Sequence, residues 1–414
     1  MRWSLVSVGI AGFLALAGCS SSDGGGGSTT SGGSTSGGST SGGTGGASGG
    51  HGGSAGGGSG GLAASGGDAG FGGSASGGAA GTSPGGTGGV QEPGLRFVGR
   101  HVIEDDMSVR FGWSGSGLVA RFRGTAIRVT LDDPAHYYTV VVDGEVGPRL
   151  ATTSGAQQYT LAEGLADAEH VVELYRRTEG SYGSTHFMGV DIDGELLAPP
   201  PVSRRIEVLG DSITCGYGNE GPDQYCNFSA DTENHYLTYE AIAARELGAE
   251  LSTIAWSGKG VVYNYGTDTN QPLPEIHRRA LPTQASSTWD FASWQPDVVL
   301  INLGTNDFST DGDPSESLFV GEYVKLLESL RGDYPDTLIL CTVAPKLFGN
   351  DQVQAETYIA SAVAQRNAAG DSRVKQVDIS TDSTGFGCDW HPSLATHQAM
   401  SQRLVTLLKA ELGW

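Results

Sequence analysis

Positive charge is scarce in this chain. Against 46 Asp and Glu it carries 24 Lys and Arg, a net charge of −22. No segment gathers those basic residues into a stripe. A nucleic-acid partner requires phosphate neutralisation by such a stripe, so that class is excluded. The acidity serves solubility and suits a neutral substrate. Calcium-loop spacing is missing too: "DIDG" and "DGDPSE" are rich in Asp but do not space their ligands as an EF-hand does. No metal and no other cofactor is expected. Nor does any apolar run reach the length of a membrane-spanning helix. The one at 5–18, "LVSVGIAGFLALAG", has the length of a signal-peptide core.

Cysteine is confined to five positions. Cys19 closes Leu16-Ala17-Gly18-Cys19, a tetrapeptide that resembles a bacterial lipobox. That resemblance implies cleavage before Cys19, lipidation of its thiol, and attachment to a membrane by acyl chains alone. Ser20 and Ser21 follow it without the Asp associated with inner-membrane retention, so the same resemblance favours the outer membrane. An ordinary secretory signal is the alternative; both lead out of the cytoplasm into the cell envelope or beyond. The other four thiols, Cys215, Cys226, Cys341 and Cys388, then face oxidising conditions. Cys341 in "TLILCTV" reads as a core thiol. Cys215 with Cys388 is one candidate bridge, and Cys215 with Cys226 is the competing local pair.

Glycine, by contrast, is in excess, with 67 residues concentrated early. Residues 19–94 are nearly all Gly, Ser, Thr and Ala, and a segment with so little to bury cannot offset its ordering entropy. It reads as a flexible tether whose reach is on the order of 45 Å. From 95 to 200 the pattern turns β-like. Runs such as "LVARFRG", "AIRVTLDD", "YYTVVVDGEV" and "HVVELYRRT" alternate apolar with polar residues and are punctuated by Gly or Asp-Gly. They predict an all-β sandwich, jelly-roll or similar. From 203 to 414, near-continuous apolar strands alternate with amphipathic helices, the pattern of a parallel sheet covered on both faces.

Such sheets carry their sites outside the carboxyl ends of the strands. Four strand-following segments hold the chemistry: "GDSITCGYG", "WSGKG", "GTNDF" and "GCDWHPS". Acyl transfer needs a nucleophile, a base, a group that orients the base, and donors for the developing oxyanion. Ser212 is the candidate nucleophile and His391 the base, with His397 as a rival. Asp389 is the candidate orienting carboxylate. Backbone N–H groups of Ser212 and Gly258 and the Asn306 amide are the candidate oxyanion donors. Asp307 reads as a loop-positioning residue. Trp390 is a candidate substrate contact. With an ordinary imidazole pKa of about 6.5, activity would fall on acidification through that value.

These four blocks, in this order, resemble the SGNH or GDSL hydrolases, with Ser212, Gly258, Asn306 and His391 as the named residues. With the preceding β-domain, the chain more narrowly resembles carbohydrate esterase family two. The resemblance implies a three-layer α/β/α, flavodoxin-like hydrolase domain after a jelly-roll-like domain. It also implies removal of acetyl groups from plant cell-wall polysaccharides such as xylan or glucomannan. Some relatives replace the triad Asp by a backbone carbonyl, whereas Asp389 in D-W-H makes a full triad available here. The competing functions are a surface carbohydrate-binding protein with an inactive hydrolase domain, and the same chemistry on lipids, thioesters or other short-chain esters.

Overall fold

The computed structural model describes residues 94–343, 345–381 and 385–414. The signal segment, the tether and Cys19 lie outside the described residues.

Antiparallel strands fill Leu95–Leu197. Their backbone is Gly117–Asp133, which unites two of the alternating runs. Along one edge it pairs with Thr185–Leu197; along the other it pairs first with Ala168–Arg176 and then with Gly155–Ala162. Gly124 stands opposite Gly194, and a Cβ at Gly124 would lie 2.1 Å from the Asp193 carbonyl. Two residues without side chains therefore let the paired strands approach where the pairing shifts register. Inward positions such as Leu118, Phe122, Ile127, Val129 and Leu174 form the core. Removing the fully buried Phe122 ring would cost about 3–5 kcal/mol. "DIDG" lies in this sheet, where Asp191 and Asp193 pair with Arg128.

The second body is a five-stranded, wholly parallel sheet. Its strands are Arg205–Gly210, Glu250–Ala255, Val298–Asn302, Leu338–Thr342 and Val374–Gln376, arranged in the spatial order second, first, third, fourth, fifth. Alternate side chains serve opposite faces. Val298, Leu300, Leu338 and Leu340 pack beneath Tyr239–Leu247 and Leu394–Leu412. Val299, Ile301, Ile339 and Cys341 pack beneath Glu316–Asp333 and Asn350–Ala368. This is the three-layer, flavodoxin-like arrangement expected. It puts a topological switch point at the first strand, whose two neighbours are the second and third, and a crevice opens at such a point.

The two bodies are locked by a buried ion pair. Arg100 of the β-rich body donates to Glu207 of the first parallel strand, with both side chains fully buried. Glu207 also accepts from Ser252 and Tyr334. Removing one member of such a pair would leave an uncompensated charge, at a cost of about 3–5 kcal/mol.

Candidate active site

The first parallel strand ends at Gly210, and Asp211 caps the short helix Ser212–Cys215 by accepting from the Ile213 N–H at 3.0 Å. Ser212 thus stands at the first helical position, where its N–H has no intrahelical partner. Its Oγ lies 2.8 Å from His391 Nε2, although 179 residues separate them, and both side chains are about 5% exposed.

His391 is delivered by a constrained loop. Asp389 and Trp390 have φ of 51° and 60°, uncommon for Asp and more so for a bulky Trp. The Cys226–Cys388 disulfide, the Asp389 N–H to the Cys226 carbonyl (3.1 Å) and the Cys388 N–H to the Gly218 carbonyl (2.9 Å) hold that conformation. It turns the carbonyls of Asp389 and Cys388 onto His391 Nδ1, at 3.0 and 3.2 Å. Nδ1 therefore carries the proton and Nε2 is free to accept one from Ser212.

The second and third strands supply the donors. Gly258, at φ 78°, begins a loop that Asp307 gathers by accepting the N–H groups of Val261, Val262 and Tyr263 at 2.7–2.9 Å. A Cβ at Gly260 would lie 2.6 Å from Asp307 Oδ2, so this closeness requires glycine. Burial outweighs the three donors and pushes Asp307 up to about 6. Asn306 donates to the Lys259 carbonyl at 2.9 Å and to Asp211 Oδ2 at 3.3 Å. The second contact is long, which leaves that amide hydrogen open to a better acceptor. Burial likewise pushes Asp211 up to about 7.

Ser212, Gly258, Asn306, Asp389 and His391 line a cleft of about 540 Å³ with Tyr217, Ser257, Tyr265, Lys346 and Trp390. Two of the lining rings, Trp390 and Tyr265, are exposed, and Trp390 in turn meets the exposed Tyr225 edge-on at 6.0 Å and the half-buried Phe386 at 5.2 Å. Burial first, and then the Lys346 ammonium, hold His391 down to about 3.

Residues 97–201 match the carbohydrate esterase 2 N-terminal domain, and residues 208–399 match the GDSL-like lipase/acylhydrolase family. A solved family two carbohydrate esterase from Clostridium thermocellum, in complex with cellohexaose, is 40% identical. The match covers 78% of this chain and 100% of that one, with a TM-score of 0.75. The chain belongs to carbohydrate esterase family two. A curated cellulase/esterase, CelE of Acetivibrio thermocellus, is 40% identical over 327 residues; the match takes in 78% of this chain but only 40% of that longer protein. An acetylxylan esterase/glucomannan deacetylase of Cellvibrio japonicus is 27% identical, with 78% of this chain and 90% of the relative covered.

Within this family-two frame, the structure brings Ser212, Gly258, Asn306, His391 and Trp390 to one cleft. It corrects three expectations. The Asp389 carboxylate does not meet the imidazole; its Oδ2 accepts from the Tyr217 hydroxyl and the Phe228 N–H, each at 3.0 Å, and the main-chain carbonyl faces His391 instead. The left-handed turn at 389 and 390 is the reason, since it directs the carbonyl inward. The disulfide joins Cys226 to Cys388, and Cys215 is a free, buried thiol, as is Cys341. The imidazole pKa is far below its ordinary value. His397, the rival base, is buried away from the cleft, where it accepts from the Tyr239 N–H and stacks on that ring.

Lys346 escaped the sequence reading. It follows the fourth parallel strand in "VAPKLFGN", and the rule that sites collect at strand carboxyl ends was the available signal. Asp211 was hidden as an ordinary cap.

Proposed function

We propose that the protein is an O-acetyl esterase of hemicellulose such as xylan or glucomannan. The observation that carries this reading is the Ser212–His391 hydrogen bond at the floor of an open cleft rimmed by aromatic rings. Ser212 Oγ attacks the acetyl carbonyl as His391 Nε2 takes its proton. The N–H groups of Ser212 and Gly258, with the Asn306 amide, receive the developing oxyanion. The sugar alkoxide leaves with the proton from His391. Water, deprotonated by the same imidazole, then attacks the acetyl-serine and releases acetate. The carbonyls of Asp389 and Cys388 hold the imidazole in its tautomer and stabilise its charged form, so the assembly works as a dyad with backbone support.

Trp390, Tyr225 and Tyr265 present apolar faces with polar tips, which suits stacking on sugar rings. The same rims support a second reading, glycan binding without turnover, because the 40% identical relative was solved with cellohexaose. Titration calorimetry of Ser212→Ala with cello-oligosaccharides and acetylated xylan, beside acetate release by the wild type, separates the two. Binding with no acetate from the wild type would favour the second.

At the other end of the chain, the lipobox-like tetrapeptide supports acylation of Cys19, with residues 19–94 as the spacer. Among the described residues no helix is long and apolar enough to cross a membrane. Detergent partitioning of wild type against Cys19→Ala tests this attachment.

A further inference from the structure

We propose that Glu179, carried by the β-rich body, is a positioning residue that sets the oxyanion loop of the hydrolase body. This inference rests on the esterase reading above.

Glu179 follows the strand Ala168–Arg176 and is 5% exposed. Its Oε2 accepts the Ser257 N–H at 2.6 Å, and Ser257 immediately precedes Gly258. The same oxygen accepts from Cys215 Sγ at 3.5 Å, and Cys215 ends the helix that Ser212 begins. One carboxylate oxygen therefore touches both the nucleophile helix and the oxyanion loop. Burial pushes the Cys215 thiol well up, so it remains a donor to that oxygen. The other oxygen accepts from Ser181 Oγ at 3.0 Å.

Glu179 is itself held firmly. The fully buried Arg176 donates to the carbonyls of Thr178 and Glu179, both at 2.9 Å. A backbone N–H that donates to a fixed carboxylate makes a short, strong bond. The loop then has two anchors: Asp307 grips 261–263 downstream, and Glu179 grips Ser257 upstream. The Gly258 N–H lies between them. Donors must sit 2.7–3.1 Å from the oxyanion, and a misplacement of about 1 Å can cost about 10²-fold. Glu179, Cys215 and Glu233 together could pass for a cation site. The Ser257 N–H already serves the Glu179 carboxylate, while burial first, and then the Glu179 charge beside it, push Glu233 well up toward its neutral form. The β-rich body is thus a component of the catalytic apparatus.

The test uses the full chain with 4-nitrophenyl acetate and 4-nitrophenyl thionoacetate. Sulfur fits an oxyanion hole poorly, so the ratio of kcat/KM for the two esters reports the hole and is independent of the folded fraction. Glu179→Met keeps length and removes the acceptor. It should lower kcat on the oxygen ester about 10- to 100-fold, leave KM within about threefold, and lower the ratio about tenfold or more. Glu179→Gln keeps an acceptor and should restore all three to within about threefold of wild type. An unchanged ratio in Glu179→Met, or a Gln variant as impaired as Met, overturns the proposal. If Glu179→Met does not fold, Glu179→Asp, whose acceptor is withdrawn by one methylene, must show the lowered ratio; a wild-type ratio there overturns it. Ser212→Ala must abolish turnover of both esters, and retained turnover refutes the esterase reading whatever the Glu179 variants do.

Discussion

The ammonium of Lys346 lies 3.0 Å from Nε2 and 3.3 Å from Nδ1 of His391. The two ring nitrogens flank Cε1, so a group this close to both would overlap that carbon if it lay in the ring plane. Lys346 therefore sits over the imidazole face, where it opposes protonation without taking the lone pair that Ser212 needs. Burial lowers Lys346 itself to about 8, while Asp211 and Asp389 pull the other way.

The pH profile follows from that contact. The base works when neutral, and a lowered pKa keeps it neutral in mild acid, so kcat/KM should stay level from pH 5 to 7 and decline only well below the ordinary imidazole value of about 6.5. In Lys346→Met the opposing charge is gone while burial, Asp211, Asp389 and His397 remain. The imidazole pKa should rise and the acid limb should move toward higher pH. A limb that stays in place would show that burial alone sets the base.

Asp389 should matter less than a triad carboxylate. Removing such a carboxylate costs about 10⁴-fold, but here the imidazole meets a main-chain carbonyl. Asp389→Asn can still accept from Tyr217 and Phe228, and its kcat should remain within about tenfold of wild type. Steady-state kinetics showing a loss of about 10⁴-fold would restore the carboxylate to the catalytic relay.

The disulfide bears on both stability and rate. Cys226 is paired with Cys388, three residues before His391, across a separation of 162 residues. The double variant Cys226→Ser/Cys388→Ser should lose about 3–5 kcal/mol of stability, read by denaturant melts. Its kcat should fall about tenfold as the histidine loop loosens, with KM moving less. Unchanged kcat in the folded variant would mean that the backbone bonds from Asp389 and Cys388 hold the loop unaided.

Asn306→Ala should lower kcat by about 10²- to 10³-fold with little change in KM, the loss expected of one oxyanion donor. A change confined to KM would place Asn306 in ground-state binding instead.

Much of this site was legible in order but not in direction. Five apolar runs became five parallel strands, because both faces of that sheet are buried and the pattern admits little else. The Asp-Gly of "YYTVVVDGEV" became a tight hairpin, with Asp143 and Gly144 both at positive φ. Strand ends then brought Ser212, Gly258 and Asn306 together. What escaped depended on backbone rotation or on contacts between bodies. Nothing in "DWH" says that Asp389 turns its carbonyl, rather than its carboxylate, toward His391. Cys226 lies on an irregular excursion with no periodic signal to place it beside Cys388. Glu179 belongs to a body whose sequence speaks only of strands.

Polysaccharide deacetylation through Ser212 is checked by measuring acetate released from acetylated xylan and acetylated glucomannan by wild type and Ser212→Ala. The wild type should release acetate steadily from at least one polymer, and the variant should lose about 10³-fold or more of that rate, on the order of triad disruption. Equal release by the two proteins, or none by the wild type on either polymer, would contradict it.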